Sequence, residues 1–384
     1  SCSLVGSEMC IRDSNMRQMM KLFNEAKRVE GPVVVHVLTK KGRGYEPASA
    51  HPDRFHGTGP FDIKTGRVLQ KKTVPGYTDV FSKALVSLGE KNKKLTAITA
   101  AMPDGTGLVE FSRRFPDRFF DVGIAEEHAV SFAAGLALGG LVPVVAIYSS
   151  FLQRAVDQIL HDVCMQKLHV IFAVDRAGLV GADGETHQGC FDLSYLSMMP
   201  NMTVLAPKND RELEEMLAFA VSFDGPIAIR YPRGSAHQGL REYQAPVEYG
   251  RSEIIRKGKK IAVLGVGSMI PSCMEICKGL KDDGYDPTFV NARFVKPLDV
   301  DLLDELAKDH SLFVTVEENV KSGGYGEHVS AYMEACHPEI RVLSAAVWDR
   351  FVPQGNVESL RSRIGLGVED IRQAIEDSEE LREQ

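Results

Sequence analysis

The sequence predicts two consecutive doubly wound α/β domains that are preceded by part of a third α/β domain. From residue 76 onwards, short apolar segments alternate with segments of helical periodicity, and the alternation restarts after a polar connector at residues 237–260. Apolar strands separated by helices are typical of a mostly parallel sheet that is covered on both faces. The length of 384 residues, of which 44% are hydrophobic, is enough for two to three domains.

The segment before residue 76 differs from the two domains. Apolar residues at helical spacing over residues 15–29 are followed by the apolar strand VVVHVL at residues 33–38. One helix and one strand cannot form an independent core, and the Pro-, Gly- and charge-rich residues 49–75 are typical of a linker. We therefore interpret residues 15–75 as the end of an α/β domain followed by a linker. Residues 1–14 resemble a translated non-native sequence, and the fold prediction leaves them out.

The first complete domain is predicted at residues 76–240, and the second at residues 250–384. The strands of the first are predicted at residues 95–99, 143–148, 169–174, 203–206 and 226–231, and its helices at residues 78–89, 127–138, 152–163 and 210–223. The strands of the second are predicted at residues 261–266, 287–290, 312–316 and 341–346, and its helices at residues 271–283, 299–309, 326–335 and 368–381.

Composition and charge exclude several classes of function. The formal net charge is −7 and no basic face stands out, so we expect no nucleic-acid partner. Residues 129–153 carry no charge, but Gly139, Gly140 and Pro143 divide them into a short helix and a strand, so we expect no membrane span. The seven cysteines lack metal-ligand spacing, which favours buried thiols in a reducing cytoplasm.

The most informative motif is FFDVGIAEEHAV at residues 119–130, in which Glu126 and Glu127 precede an Ala-rich helical pattern. Acidic residues also favour helix N-termini because of the helix dipole, and composition alone leaves both interpretations open. The functional interpretation is a glutamate in an apolar site that holds a proton for a cofactor nitrogen. Thiamine diphosphate needs such a group for its aminopyrimidine ring.

Three further polar clusters follow predicted strands, which is where ligands bind in parallel sheets. The glycine-rich DRAGLVGADGETHQG contains Asp183 and His187, an acid–base pair able to move protons near neutral pH. RYPRG at residues 230–234 offers arginines for a phosphate. YSSFLQR at residues 148–154 places a phenol, an aromatic ring and a guanidinium at another strand end. Each cluster alone could be structural, but their shared position favours a site for a small anionic substrate.

These motifs resemble those of the 1-deoxy-D-xylulose 5-phosphate synthase family, which are thiamine-diphosphate enzymes of the transketolase type. The resemblance covers nearly all of the chain from residue 15 onwards. Its most specific segments are HVLTKKGRGYEPA, FDVGIAEEHAV, YSSFLQRAVDQILHDV, DRAGLVGADGETHQGCFDLSYL, RYPRG, RFVKPLD and VTVEEN. It implies that the two predicted domains are a thiamine pyrimidine-binding domain and a transketolase C-terminal domain, and that residues 15–75 are a remnant of the diphosphate-binding domain.

For the cofactor, the resemblance implies three contacts in this chain. Glu126, rather than Glu127, would bind the aminopyrimidine, Phe151 would pack on the pyrimidine ring, and Tyr45 would lie near the cofactor. The family holds the diphosphate through Mg²⁺ with a Gly-Asp-Gly segment and a downstream asparagine. We find no such segment and predict no metal ligands in this sequence. We therefore expect the chain alone to bind the cofactor poorly and to show little activity.

For the substrates, the resemblance implies that pyruvate condenses with D-glyceraldehyde 3-phosphate with loss of carbon dioxide, a step that supplies isoprenoid precursors, thiamine and pyridoxal phosphate. The residues that it implies for proton transfer and its surroundings are His187, Asp183, Tyr148, Arg154 and His56. Those that it implies for the substrate phosphate are Arg176 and Arg233. It also implies a homodimer located in the cytoplasm.

Two alternatives remain open at this stage. A split transketolase, or the β subunit of a 2-oxo-acid dehydrogenase, has the same two domains and needs a partner chain, although VVVHVLTKKGRGYEPA would have no reason to precede such a subunit. A non-catalytic oligomerisation module is the other alternative. The intact set of Glu126, Asp183, His187, Arg176 and Arg233 weighs against it.

Overall fold

The computed structural model describes residues 8–52, 54–69 and 74–378. The chain divides into two compact units, Ser1–Thr73 and Val74–Gln384. The elements of the first unit are β1 (Glu8–Arg12), α1 (Met16–Ala26), β2 (Val34–Leu38) and α2 (Glu46–Ala50).

The first unit has a small core. Leu22 of α1 is buried and packs against the partly buried apolar residues Met19, Ala26, Val33, Val35 and Val37. Residues 8–12, which the sequence analysis left out of the fold, form β1 and pair in parallel with β2. This pairing leaves the origin of residues 1–14 untested. Helix α2 begins before the predicted linker, and its last two residues, 49 and 50, lie in that linker. Residues 53 and 70–73 of the linker lie outside the described part of the chain.

The second unit begins with alternating helices and strands. Its strands up to residue 240 are β3 (Leu95–Thr99), β4 (Phe119–Asp121), β5 (Val142–Tyr148), β6 (Ile171–Asp175), β7 (Thr203–Leu205) and β8 (Ile227–Tyr231). Its helices in this part are α3 (Tyr77–Lys91), α4 (Val109–Arg114), α5 (Glu126–Leu138), α6 (Ser149–Leu152), α7 (Val156–Gln158), α8 (Asp192–Ser197) and α9 (Asp210–Ser222). The five strands predicted for this domain are present, and β4, α4 and α8 were not predicted.

One predicted helix was wrong. Residues 152–163 were expected to form a continuous α-helix, but a 3₁₀ turn at Gln153–Ala155 follows α6, and a π-helix at Ile159–Cys164 follows α7. In the π-helix the hydrogen bonds span five residues, as in the bond from the Met165 amide to the Leu160 carbonyl. Arg154 lies in the 3₁₀ turn, and its guanidinium contacts Glu126 at the start of α5.

The described remainder of the second unit contains six further strands, five of which form the second sheet. Its strands are β9 (Glu253–Arg256), β10 (Lys260–Gly265), β11 (Thr288–Asn291), β12 (Phe294–Lys296), β13 (His310–Val320) and β14 (Arg341–Val347). Its helices are α10 (Ile270–Asp282), α11 (Val300–Ala307), α12 (Tyr325–Cys336), α13 (Val357–Arg363) and α14 (Val368–Glu376). The end of the last predicted helix, residues 379–381, lies outside the described residues.

The two sheets confirm the predicted α/β architecture, and one strand of the second domain joins the sheet of the first. The second sheet has the order β14-β13-β10-β11-β9, in which β9 is an antiparallel edge strand. The first sheet has the order β12-β7-β8-β6-β5-β3-β4, so β12 crosses over and pairs antiparallel with β7. Residues of both sheets also share one apolar core. In the described residues, no helix is both long and apolar enough to span a bilayer.

Candidate active site

Three neighbouring strands of the first sheet end at the same level. Tyr148, Asp175 and Tyr231 are the last residues of β5, β6 and β8, and they are in register with one another. The polar clusters predicted from the sequence continue directly from these three strand ends. They therefore meet at the carboxyl edge of the parallel sheet, where such folds bind ligands.

Glu126 and Arg154 form an ion pair at this edge. Glu126 is the first residue of α5 and its side chain is only 3% exposed, whereas the neighbouring Glu127 is exposed. Nη1 of Arg154 donates a hydrogen bond to Oε1 of Glu126 at 2.6 Å. Burial thus distinguishes the two glutamates, which sequence spacing could not do. The buried member is the one that the family resemblance selected.

Three rings form a row beside this ion pair. The rings of Tyr148 and Phe151 are stacked with centroids 5.5 Å apart, and the ring of His187 meets Phe151 edge-on at 5.3 Å. The guanidinium of Arg154 lies 5.2 Å from the centre of the Phe151 ring. Burial raises the pKa of Tyr148 to about 12, so its phenol stays protonated and can donate a hydrogen bond.

Arg176 is held against the same ring row. Its Cζ atom lies 3.7 Å from the centre of the Tyr148 ring, and its Nη1 donates to the carbonyl of Gly105 at 2.9 Å. The same Nη1 lies 3.1 Å from Oδ1 of the buried Asp175. Burial raises the pKa of Asp175 to about 6 although Arg176 opposes the shift. Asp175 was missed as a site residue, and its place at the end of a buried strand was the signal that could have found it.

Asp183 of the glycine-rich loop pairs with Arg233. Nη1 of Arg233 donates to Oδ2 of Asp183 at 2.6 Å, and both side chains are partly exposed. His187 instead has its Nδ1 2.9 Å from the hydroxyl of Thr186. Among the described residues, no hydrogen bond joins Asp183 to His187. The proposed roles of Asp183 and His187 in proton transfer stay predictions.

Two cavities flank this group of residues. One of about 560 Å³ lies between the two domains of the second unit, and Arg233, Ser268, Glu318 and Arg361 line it together with other residues. The other, of about 460 Å³, is lined by Ser150, Gln153, Glu185, Thr186, Gln188, Phe191 and Phe351. Sequence reasoning did not identify Glu318 or Arg361, which form a 2.7 Å ion pair at the wall of the larger cavity.

Tyr45 and His56 belong to the first compact unit. The Tyr45 hydroxyl donates to the carbonyl of Ile63 at 2.8 Å, and its ring contacts Phe55 edge-on. Nδ1 of His56 lies 2.8 Å from the ammonium of Lys41. Their contribution to the site stays a prediction.

The residues at the sheet edge fit a flat heteroaromatic ring better than a metal ion. A buried carboxylate and the face of Phe151 are the partners that an aminopyrimidine needs. Within the described residues, no cluster of three or more His, Cys, Asp or Glu side chains could hold a metal ion.

Comparisons with known proteins identify both domains of the second unit. Residues 74–238 match the transketolase pyrimidine-binding domain, and residues 250–371 match the transketolase C-terminal domain. The 1-deoxy-D-xylulose-5-phosphate synthase of Lachnoclostridium phytofermentans is 53% identical over 358 residues, and that of Natranaerobius thermophilus is 50% identical over 360 residues. Each alignment covers 93% of this chain but only 57% of the relative.

Two solved structures show the same fold. One is a split-gene transketolase described as an inactive β4 tetramer, with 31% identity, a TM-score of 0.70, and coverage of 80% of this chain and 98% of that chain. The other is the transketolase of Campylobacter jejuni, with 16% identity, a TM-score of 0.67, and coverage of 97% of this chain and 67% of that chain. The second likeness concerns the fold alone.

Proposed function

The chain belongs to the transketolase family, and from that premise we propose that it forms the pyrimidine-binding and C-terminal domains of a 1-deoxy-D-xylulose 5-phosphate synthase. This enzyme would join pyruvate to D-glyceraldehyde 3-phosphate with loss of carbon dioxide. The observation that carries the proposal is the buried Glu126 at the sheet edge, where the Phe151 ring also lies. Two arginines, Arg154 and Arg176, contact the aromatic rings of the same site. Identities of about half to relatives named as this synthase support it.

Glu126 and Phe151 would hold the aminopyrimidine of thiamine diphosphate. When bound, thiamine diphosphate supplies the carbanion chemistry of decarboxylation and carbon–carbon bond formation. The carboxyl of Glu126 would hydrogen-bond the ring nitrogen, and Phe151 would pack on the ring. Arg154 pairs with Glu126 in this structure. The Arg154 side chain is 48% exposed, so its guanidinium can stay hydrated when a ligand group takes its place at the buried carboxyl of Glu126. The magnesium ion that accompanies the diphosphate in this family would be held by the diphosphate-binding domain.

The remaining residues would act on the substrates. Arg176 and Arg233 would bind the phosphate of the aldehyde, because guanidinium groups match phosphate oxygens with paired donors. The neutral phenol of Tyr148 would donate a hydrogen bond to a substrate oxygen, and His187 would transfer protons. Asp183 would join His187 in proton transfer once Arg233 leaves it to bind the phosphate. We further propose that the protein acts in the cytoplasm as a homodimer.

A split transketolase-type subunit is the second candidate. The observation that favours it is the solved split-gene transketolase, 98% of which is covered by this chain. The two candidates differ in substrate, since a transketolase transfers a ketol unit from a sugar phosphate and does not decarboxylate pyruvate.

The two adjacent glutamates allow a matched test. Thiamine diphosphate binding is measured by calorimetry and near-ultraviolet circular dichroism for the chain joined to the diphosphate-binding domain of the Lachnoclostridium phytofermentans relative, and for the Glu126→Ala and Glu127→Ala variants of that joined protein. Product formation from pyruvate and D-glyceraldehyde 3-phosphate is measured in parallel, for the chain alone and for the chain joined to the diphosphate-binding domain of the Lachnoclostridium phytofermentans relative. We expect Glu126→Ala to lose binding and turnover, while Glu127→Ala keeps both. Equal effects of the two substitutions would overturn the proposed role of Glu126.

A further inference from the structure

Asp175 is a fully buried carboxylate that has no role in the proposed function. It ends β6 between Tyr148 and Tyr231 and has no exposed surface. Its Oδ2 accepts a hydrogen bond from Thr78 Oγ1 at 2.8 Å, and its Oδ1 lies 3.1 Å from Nη1 of Arg176. A buried charge is costly unless an opposite charge compensates it. Among the described residues, Arg176 is the cation that forms an ion pair with Asp175.

Arg176 has a backbone conformation that favours this contact. Its φ angle is +59°, a left-handed conformation that is uncommon for a residue with a side chain and that costs energy. The turn brings the guanidinium back over its own strand end, where the Asp175 carboxylate, the Gly105 carbonyl and the Tyr148 ring surround it. Strained backbone of this kind persists where the surroundings hold it in place.

The contacts of Arg176 leave part of its guanidinium available. A guanidinium carries five N–H donors. Among the described residues, the polar contacts of the Arg176 side chain use Nη1, one to Gly105 and one to Asp175. Within the described residues, Nε and Nη2 make no hydrogen bond, and these two atoms form the edge that binds a phosphate with two parallel bonds.

Arg176 and Arg233 differ in how firmly they are held. Arg233 pairs with Asp183, and both side chains are about two-fifths exposed, so this pair can open at little cost. The partner of Arg176 is fully buried, and the Arg176 side chain itself is mostly buried. Arg176 is therefore the fixed half of the pair of arginines, and Arg233 is the movable half.

We propose that Asp175 is a positioning residue for the phosphate site, because its carboxylate holds the Arg176 guanidinium against the Tyr148 ring with the Nε–Nη2 edge open to the ligand. The inference rests on the proposed function, in which Arg176 and Arg233 bind the phosphate of the aldehyde. Removal of the Asp175 charge leaves a mostly buried guanidinium without its counter-charge. The side chain then moves towards solvent, and the phosphate loses a fixed partner.

The test is anion binding by the full chain, measured with sulfate and with D-glyceraldehyde 3-phosphate by calorimetry. We expect Asp175→Asn to weaken both affinities by about tenfold to a hundredfold, the range seen when a supporting residue of a site is lost. In an Arg176→Ala background, Asp175→Asn should have no further effect, because Asp175 acts through Arg176. If Asp175 acted only as a nearby negative charge, its removal would strengthen sulfate binding, and that sign would overturn the inference.

Two control variants separate the possible failures. Asp192→Asn breaks another fully buried pair, in which Asp192 accepts a 2.7 Å hydrogen bond from Arg230, so it reports the general cost of breaking such a pair. We expect it to lower stability and leave sulfate binding unchanged. Arg233→Ala should weaken binding. If neither Arg233→Ala nor Asp175→Asn weakens it, the proposed phosphate site itself fails, whereas a loss with Arg233→Ala alone overturns only the role of Asp175.

The pH dependence of sulfate binding provides a second readout. The groups that face Asp175 are Arg176, the Thr78 hydroxyl and the phenols of Tyr148 and Tyr231, whose pKa values burial raises far above neutrality. Asp175, with its pKa raised to about 6, is the one that titrates between pH 5 and 8. Sulfate keeps its charge over this range. The ratio of wild-type to Asp175→Asn affinity should therefore fall towards one as the pH drops through about 6, and a constant ratio would contradict the inference.

Discussion

A buried cluster of charged side chains joins the two domains of the second unit, and its disruption should lower the free energy of unfolding. Lys208 and Glu212 come from the first domain, and Glu253 and Arg293 come from the second, and each is at most 5% exposed. Glu212 accepts hydrogen bonds from the ammonium of Lys208 at 2.9 Å and from Nε of Arg293 at 2.6 Å. Glu253 pairs with the same two cations at 2.8 and 3.1 Å. Two cations and two anions make the cluster neutral.

The perturbation is Glu212→Gln, which keeps the shape of the side chain and removes one charge. The cluster then holds two cations against one anion, with no access to water. The loss of one partner of a buried ion pair costs about 3–5 kcal/mol, because the remaining charge is left uncompensated. The double variant Glu212→Gln/Lys208→Met restores neutrality and should recover a large part of the lost free energy.

The assay is urea denaturation followed by circular dichroism, with Glu305→Gln as the matched control. Glu305 pairs with Lys308, and both side chains are about two-thirds exposed, so we expect no measurable change from this control. If Glu212→Gln unfolds at the same urea concentration as Glu305→Gln, the cluster does not hold the domains together. If the double variant is less stable than Glu212→Gln, the charge balance is not what stabilises the cluster.

Two further predictions concern single residues. Burial raises the pKa of Glu317 to about 7 from an ordinary value of 4.5, so the stability that this group contributes is present in acid and is lost as the pH rises from about 4.5 through about 7. Glu317→Gln should flatten the decline of stability between pH 5 and 8 in a thermal-melt series, and an unchanged slope would refute the assignment. A methyl group at Gly105 would lie 2.1 Å from the Tyr148 hydroxyl, so Gly105→Ala should displace the phenol and weaken sulfate binding. Gly135→Ala, where the methyl meets nothing within 4 Å, should leave it unchanged.

The elements that the sequence predicted well are those with a purely local signal. The central strands β3, β5, β6 and β8 are short apolar runs, and their patterns located them to within one or two residues. The site followed from them, because polar residues directly after such strands meet at one edge of a parallel sheet. The position of Tyr148, Arg176 and Arg233 was therefore predictable before any contact was known.

The features that the sequence did not predict depend on contacts between distant segments. β12 was not predicted as a strand because it is short and its pairing partner, β7, lies in the other domain. Lys208 and Glu212 are also buried, although charged residues are usually exposed. Their burial needs Arg293 and Glu253, which follow much later in the chain. No local pattern records such a pairing.

Two groups of arginine–carboxylate pairs can be distinguished among the described residues by the exposure of the arginine side chain. In the pairs Arg230–Asp192 and Arg293–Glu212, both partners are at most 2% exposed, and opening either pair would leave charges buried without compensation. At the sheet edge, the arginines that pair with Glu126 and Asp183 are 48% and 41% exposed, so each can release its carboxylate into a ligand contact and remain hydrated.

A carboxylate that must exchange an arginine for a ligand needs an exposed arginine as its partner. A carboxylate that stabilises the fold needs a buried arginine. Asp175 and Arg176 lie between the two groups, with a fully buried carboxylate and an arginine that is 17% exposed. This is the arrangement expected when the carboxylate stays in place and the arginine presents one edge to a ligand. The exposure of the two side chains therefore agrees with a role for Asp175 in positioning Arg176, and with a role for Arg176 in binding the phosphate.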